Sequence, residues 1–320
     1  MKLRAGVIGV GAMGRHHVRV YSELDSCELV AVSDFDESVK GIAEEKRCGF
    51  YKNYEEMLSS EKLDVVSVCV PTKLHAKVAL DCIKHDVNVL VEKPISDNIE
   101  DGKRIIEAAE GKKLKLGVGH IERHNPAVKK LKEVIDEGKI GKIISIAARR
   151  VGLFPPRVKD VNILVDLAVH DIDVANYLIG KEPDDVYCNA GNALTDGRKD
   201  YAELFLNYGG VSAVIQTNWI TPVKIRTLNV TGTKGYAELD YVTQSLVLYE
   251  SNYERTFDDF GEFVVKFGEH SKVKVEVEKE EPLRLEILDF LECVQNDRCP
   301  MVSGEEALNA LKIALDAGKV

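Results

Sequence analysis

A lysine, a histidine and two aspartates stand where a proton could be moved. Asp166, His170 and Asp173 are spaced i, i+4 and i+7, which places them along one face of a helix, while Val165, Ala168, Ile172, Ala175 and Ile179 form a separate apolar face. A histidine takes up a proton near neutral pH, and a carboxylate beside it orients the ring and stabilises the imidazolium. The same residues also suit an interfacial histidine flanked by capping or surface aspartates. No dense set of further ligands accompanies them, so no metal is expected there. Lys93, in Glu92-Lys93-Pro94, follows an apolar run and precedes a proline that stiffens the chain. An ammonium held there can point into a crevice, where burial beside a hydroxyl lowers its pKa into a useful range. The alternative is an ordinary solvated lysine.

A second chemistry is written at the start of the chain. Lys2 to Ile8 reads as a short apolar strand and runs into Gly9-Val10-Gly11-Ala12-Met13-Gly14, with a helical run after it. In a G-x-G-x-x-G turn between strand and helix, the first glycine makes the turn. The second admits a pyrophosphate to the backbone, and the third lets helix and strand pack closely. The helix N-terminus then offers free N–H groups to the phosphates. A second apolar run, Leu29-Val30-Ala31-Val32-Ser33, ends in Asp34, 20 residues after Gly14, where an acid that bonds the adenosine ribose belongs. Asp34 repels a 2′-phosphate, and Phe35-Asp36 supplies no arginine after it, so the pattern favours NAD over NADP. Val70-Pro71-Thr72-Lys73-Leu74-His75 follows another strand. It reads both as a loop bordering the cofactor and as a plain turn with Thr72 as a cap.

These groups need a scaffold, and the pattern supplies one. Strands are expected at Leu3–Ile8, Leu29–Asp34, Val65–Val70, Val87–Glu92 and Leu114–Gly119, with helical segments between them. Continuous apolar runs are what parallel strands buried on both faces require, so residues 1–120 predict a doubly wound α/β domain. Asn125-Pro126 then opens an amphipathic helix that stops near Gly138. Beyond it, shorter alternating runs predict an α+β domain over 121–320 with a large open, mostly antiparallel sheet. One helix at Ile163–Ile179 interrupts that sheet, and two helices, Leu283–Gln295 and Glu305–Ala317, close the chain. Gly119-His120-Ile121-Glu122-Arg123-His124-Asn125-Pro126 lies at the junction. Arg123 there, and Arg157 in Pro155-Pro156-Arg157, could each pair with a substrate carboxylate or phosphate; a structural ion pair and a solvent loop are the alternatives.

The bulk numbers set limits. The chain has 320 residues, is 45% hydrophobic and carries a formal net charge of −10, which argues against nucleic acid or an anionic membrane as the main partner. No apolar run approaches the roughly 18 residues of a membrane span. Met1 leads directly into the first strand, and the seven cysteines contain no C-x-x-C pair, so a reduced, cytoplasmic setting is expected.

Taken in order, Gly9–Gly14, Asp34, the Val70-Pro71-Thr72 loop, Glu92-Lys93-Pro94 and the Asp166…His170 helix resemble the Gfo/Idh/MocA family of sugar and polyol oxidoreductases, along essentially the whole chain. The resemblance implies a Rossmann domain followed by an α+β domain whose open sheet pairs in a homodimer or homotetramer. It implies NAD held by Gly9, Gly11, Ala12, Met13, Gly14, Asp34, Pro71, Thr72, His75, Glu92 and Lys93. It also makes Lys93, Asp166 and His170 the catalytic set. Position 168 is Ala where many members have Gly, a small departure. Segments 119–127 and 155–173 are similar to the branch that oxidises C3 of UDP-N-acetylglucosamine, although His124 replaces a more usual Phe. That branch implies a nucleotide-sugar substrate near His120, Arg123, Asn125, Arg157 and Asp173. A free sugar or inositol-type polyol, or a non-catalytic NAD-binding regulator, are the alternatives; the joint presence of Lys93, Asp166 and His170 counts against the regulator.

Overall fold

The structure is a computed structural model that describes residues 2–153, 162–195, 197–250, 253–257, 263–267 and 271–319. These form two compact units. The first opens with β1 (Leu3–Ile8), α1 (Ala12–Glu23), β2 (Cys27–Ser33), α2 (Lys40–Lys46), β3 (Gly49–Tyr51), α3 (Tyr54–Ser60), β4 (Val65–Val68), α4 (His75–Lys84), β5 (Asn88–Glu92), α5 (Ile99–Gly111) and β6 (Leu116–Gly119). The strands lie in the order β3-β2-β1-β4-β5-β6, and every neighbouring pair is parallel. The order reverses between β1 and β4, and ligands bind beyond the carboxyl ends of strands at such a reversal. β4 is buried at all four residues, as its unbroken Val-Val-Ser-Val run requires. Asn53 caps α3 by accepting the Glu55 N–H, and Asn98 caps α5 by accepting the Asp101 N–H, each at 2.9 Å. The sequence pattern gives no sign of β3, because its three half-buried residues carry too little periodicity.

The second unit holds residues 125–153, 162–280 and 314–319 among those described. Its elements are α6 (Pro126–Asp136), β7 (Ile143–Val151), α7 (Val169–Ile179), β8 (Asp185–Gly191), β9 (Tyr201–Asn207), β10 (Ser212–Asn218), β11 (Ile225–Gly232), β12 (Gly235–Asp240), β13 (Ser245–Glu250), β14 (Tyr253–Phe257), β15 (Phe263–Phe267) and β16 (Ser271–Val275). Eight of these strands make a sheet in the order β16-β13-β12-β11-β7-β10-β9-β8, in which only β7 and β10 are parallel. One face carries the buried positions of β9 and β10 (Ala202, Leu204, Leu206, Ala213, Ile215), in strict alternation.

The chain then returns. α8 (Pro282–Gln295) and most of α9 (Gly304–Ala317) belong to the first unit, which takes residues 281–313. Leu283, Ile287, Phe290 and Leu291 of α8 enter the same core as Ala5, Val7, Val18, Val20 and Tyr21. Each such Leu, Ile or Phe contributes about 1.5–3 kcal/mol over staying exposed. Gly117 of β6 lets α8 approach, since a Cβ there would lie 2.9 Å from the Phe290 ring. The reading that divides the chain at 120 gives no hint of this return. No helix among the described residues is long and apolar enough to cross a membrane.

Candidate active site

The three fingerprint glycines each meet a different constraint. Gly9 has φ +87°, and a Cβ on it would fall 2.7 Å from the Cys69 backbone at the end of β4. A Cβ on Gly14 would fall 1.8 Å from the Gly9 carbonyl oxygen, so α1 can lie this close to β1 only without a side chain. A Cβ on Gly11 would meet nothing within 4 Å, which leaves an open cradle beside the backbone. Gly11 is also the N-cap of α1, and no side chain caps that helix. Open space, an uncapped helix N-terminus and backbone N–H groups suit a pyrophosphate. Asp34 follows β2; its carboxylate accepts the Val10 N–H at 2.7 Å and the Asp36 N–H at 2.9 Å, so it braces the loop it neighbours. A dinucleotide therefore fits these residues, with Ala12 and Met13 in the first turn of α1.

Two further strand ends are tied together. Pro71 and Thr72 open a short 3₁₀ turn that leads into α4. His75 is buried, and its ring nitrogens face the Pro94 carbonyl at 2.7 Å and the Val70 carbonyl at 2.9 Å. It thus pins the Glu92-Lys93-Pro94 segment to the loop after β4. Lys93 follows β5 and is partly exposed. Its N–H donates to the Glu92 carboxylate at 3.2 Å, and the other Glu92 oxygen sits 2.9 Å from His17 Nε2. Burial works against the charge on Glu92, but the His17 hydrogen bond and the positive groups around it hold its pKa below the usual carboxylate value.

In the second unit, Asp166 lies in a single π-helical turn, Leu164–Ala168, that leads into α7. The sequence pattern predicts plain helix here; π turns recur at functional sites. Asn162 starts the segment by accepting the Leu164 and Val165 N–H groups at 3.0 and 3.2 Å. Asp166 and Asp173 are buried and His170 is partly exposed. Asp171, beside His170, is clamped by Arg150 of β7: Nε donates to Oδ2 at 2.7 Å and Nη2 to Oδ1 at 3.0 Å. Tyr241 adds its hydroxyl to Asp171 at 3.2 Å and its ring under the Arg150 guanidinium at 4.8 Å. This clamp sets how α7 is rotated, and the sequence reading missed it. Lys93 belongs to the first unit and Asp166, His170 and Asp173 to the second.

Two of the residues read as substrate ligands have other work. Arg123 is 2% exposed and donates to Glu306 Oε1 at 2.6 Å and to the Met301 carbonyl at 3.3 Å. The structural ion pair is therefore the reading its geometry carries. Asn125 caps α6 by accepting the Ala127 N–H at 3.1 Å and donates to the Tyr241 carbonyl at 3.1 Å. His120 is buried, and Arg157 lies outside the described residues.

Residues 3–120 match the oxidoreductase family with an NAD-binding Rossmann fold, and residues 128–238 match the C-terminal domain of the same family. A UDP-N-acetylglucosamine 3-dehydrogenase from Acidithiobacillus ferrooxidans is 30% identical, with 98% of each chain covered. The chain belongs to the Gfo/Idh/MocA family. As a member it is an NAD-binding dehydrogenase. A solved structure of the Acidithiobacillus enzyme superposes on this Gfo/Idh/MocA chain with a TM-score of 0.87 at 28% identity, covering 99% of this chain and 96% of the other. A myo-inositol 2-dehydrogenase from Thermotoga maritima is 28% identical over 99% of this chain and 96% of its own.

Proposed function

We propose that this enzyme oxidises a secondary hydroxyl of a sugar to a ketone with NAD, acting on C3 of UDP-N-acetylglucosamine. The observation that carries the reading is the end-to-end similarity to the Acidithiobacillus 3-dehydrogenase. Bound in the Gly9–Gly14 cradle, NAD supplies the hydride acceptor. His170 takes the hydroxyl proton as the carbon is oxidised. Lys93 hydrogen-bonds the same oxygen and stabilises the alkoxide charge as it develops. Asp166 orients the histidine. Pro71, Thr72 and His75 hold the cofactor side of the site, and Asp34 accepts hydrogen bonds from the adenosine ribose, which favours NAD over NADP. His120 and Asp173 face the sugar. Arg123 is left out of the diphosphate contacts, since Glu306 already neutralises it.

The similarity to the inositol enzyme supports a second reading, a polyol dehydrogenase. NADH formation measured with UDP-N-acetylglucosamine, N-acetylglucosamine and myo-inositol, with an aminotransferase and glutamate present to remove the ketone, separates the two. Turnover with the nucleotide sugar alone supports the first, and turnover with inositol alone replaces it with the second. Turnover that survives His170→Ala or Lys93→Ala removes those roles.

We also infer a homodimer or homotetramer through the open sheet face. Tyr187, Phe205 and Val214 pair side by side across β8, β9 and β10, and all three are exposed. Apolar rows of this kind mark interfaces. Light scattering that reports a monomer at assay concentration would refute it.

A further inference from the structure

Beneath the Gly-rich turn lies a buried cluster that the proposed mechanism does not use. His17 of α1, Glu92 at the end of β5 and Glu286 of α8 bring one nitrogen and two carboxylate oxygens within 4.8 Å of one another. His17 and Glu286 are 0% and 2% exposed. Among the described residues, neither oxygen of Glu286 meets a hydrogen-bond donor. A buried carboxylate with no donor is a costly arrangement, and taking up a proton relieves it.

The hydrogen bonds around the cluster say how that proton fits. Tyr21 Oη and Ser67 Oγ are 2.9 Å apart, Ser67 Oγ and His17 Nδ1 3.0 Å, and His17 Nε2 and Glu92 Oε1 2.9 Å. A consistent direction of donation runs from Tyr21 O–H to Ser67, from Ser67 O–H to His17 Nδ1, and from His17 Nε2–H to Glu92. Glu92 is then the terminal acceptor, ionised, and also takes the Lys93 N–H. A second ionised carboxylate beside it would be repelled.

We propose that Glu286 is held as a neutral carboxylic acid whose O–H is shared with Glu92, and that the cluster acts as a positioning device for the Lys93 segment. The role toward Lys93 rests on the dehydrogenase reading; the protonation of Glu286 does not. The groups facing Glu286 are Glu92 from β5, Tyr21 and His17 from α1, Cys69 after β4, and Asp289 one turn along α8. Burial raises the Glu286 pKa well above the usual value, and the charges of Glu92 and Asp289 raise it further. Through His17 and Glu92, the helix that opens the dinucleotide site is joined to the segment that carries the lysine. Glu286 joins α8 to both.

Infrared spectroscopy of the full-length enzyme at neutral pH tests the protonation. A neutral carboxylic C=O band that shifts when glutamate is labelled with ¹³C at the side-chain carboxyl is expected, and it should vanish in Glu286→Gln. The labelled native enzyme answers the question even if that variant fails to fold. No glutamic-acid band, a band that survives Glu286→Gln, or a stoichiometric divalent metal retained through chelation would overturn the proposal, the last by making the cluster a metal site. Kinetics test the positioning. Glu286→Leu removes the donor to Glu92 and should lower kcat about tenfold, with NAD affinity within about twofold, while Glu286→Gln restores kcat. Equal losses in both variants would overturn that role. A glutamic-acid band in an enzyme that oxidises no sugar would leave the protonation standing and sink the dehydrogenase reading instead.

Discussion

Asp171→Asn is the change expected to separate helix placement from chemistry. Asp171 does not belong to the proposed catalytic set, yet it is the neighbour of His170. Its carboxylate is 1% exposed and accepts two hydrogen bonds from Arg150, at 2.7 and 3.0 Å, and one from Tyr241 at 3.2 Å. Asparagine keeps the shape but removes the charge and turns an N–H toward the guanidinium. The buried Arg150 is left uncompensated, at a cost of about 3–5 kcal/mol. In a unit of this size that is a fall in Tm of roughly 6–20 °C. Calorimetry measures the shift, and kcat should fall at the same time, because a small rotation of α7 misplaces His170. NAD affinity should hold, since the glycine loop belongs to the other unit. The double variant Arg150→Met/Asp171→Leu should recover most of the stability, because a buried pair can be exchanged for packed apolar groups. A Tm shift below about 2 °C in the single variant would refute the account, as would a double variant as unstable as the single.

Other changes probe other elements. Gly14→Ala puts a Cβ into the Gly9 carbonyl oxygen, so α1 must move; NAD affinity by calorimetry should drop at least about tenfold, for a stability cost of about 1–3 kcal/mol. Asp34→Ser combined with Phe35→Arg should move the NAD/NADP preference about tenfold or more toward NADP, and an unchanged ratio would end the ribose assignment. Arg123→Met should cost about 1–3 kcal/mol, below a fully buried pair because Glu306 is half exposed, and should leave KM for the nucleotide sugar within about twofold. Asp200 is buried, which pushes its pKa up, but the N–H groups of Ala193, Leu194 and Thr195 outweigh burial and hold it below the usual carboxylate value. Its contribution is therefore present above about pH 4 and lost as pH falls through the depressed folded value, so Asp200→Asn should cost stability at pH 7 and progressively less in acid melts.

Much of this was legible because the local signals were strong and consistent. β1 runs from Leu3 to Ile8, as its apolar run predicts. The Gly9–Gly14 spacing carried its steric demands openly, and Asn125-Pro126 gave the start of α6. Other features depend on residues far apart in the chain. Arg123 and Glu306 are 183 residues apart, and nothing near Arg123 says that its charge is already matched. Asp171 and Arg150 sit on a helix and a strand whose packing fixes the pair, so neither residue alone is informative. Glu286 did leave a trace. It occupies a core-facing position among Leu283, Ile287 and Phe290, where an acid is out of place, but its partners lie in α1 and β5. The π turn at Leu164–Ala168 has no periodicity signal of its own in five residues.

The return of residues 281–313 to the first unit has a consequence for how the protein is made. On a ribosome, the first 124 residues emerge with every strand of the parallel sheet present but without α8. Leu283, Ile287, Phe290 and Leu291 are still unsynthesised, so Val18, Val20 and Tyr21 of α1 lack part of their cover. The nascent dinucleotide domain must wait, partly open, through the synthesis of the intervening sheet. A fragment ending at residue 124 should bind hydrophobic dyes and aggregate, and a peptide spanning 281–313, supplied in trans, should suppress both.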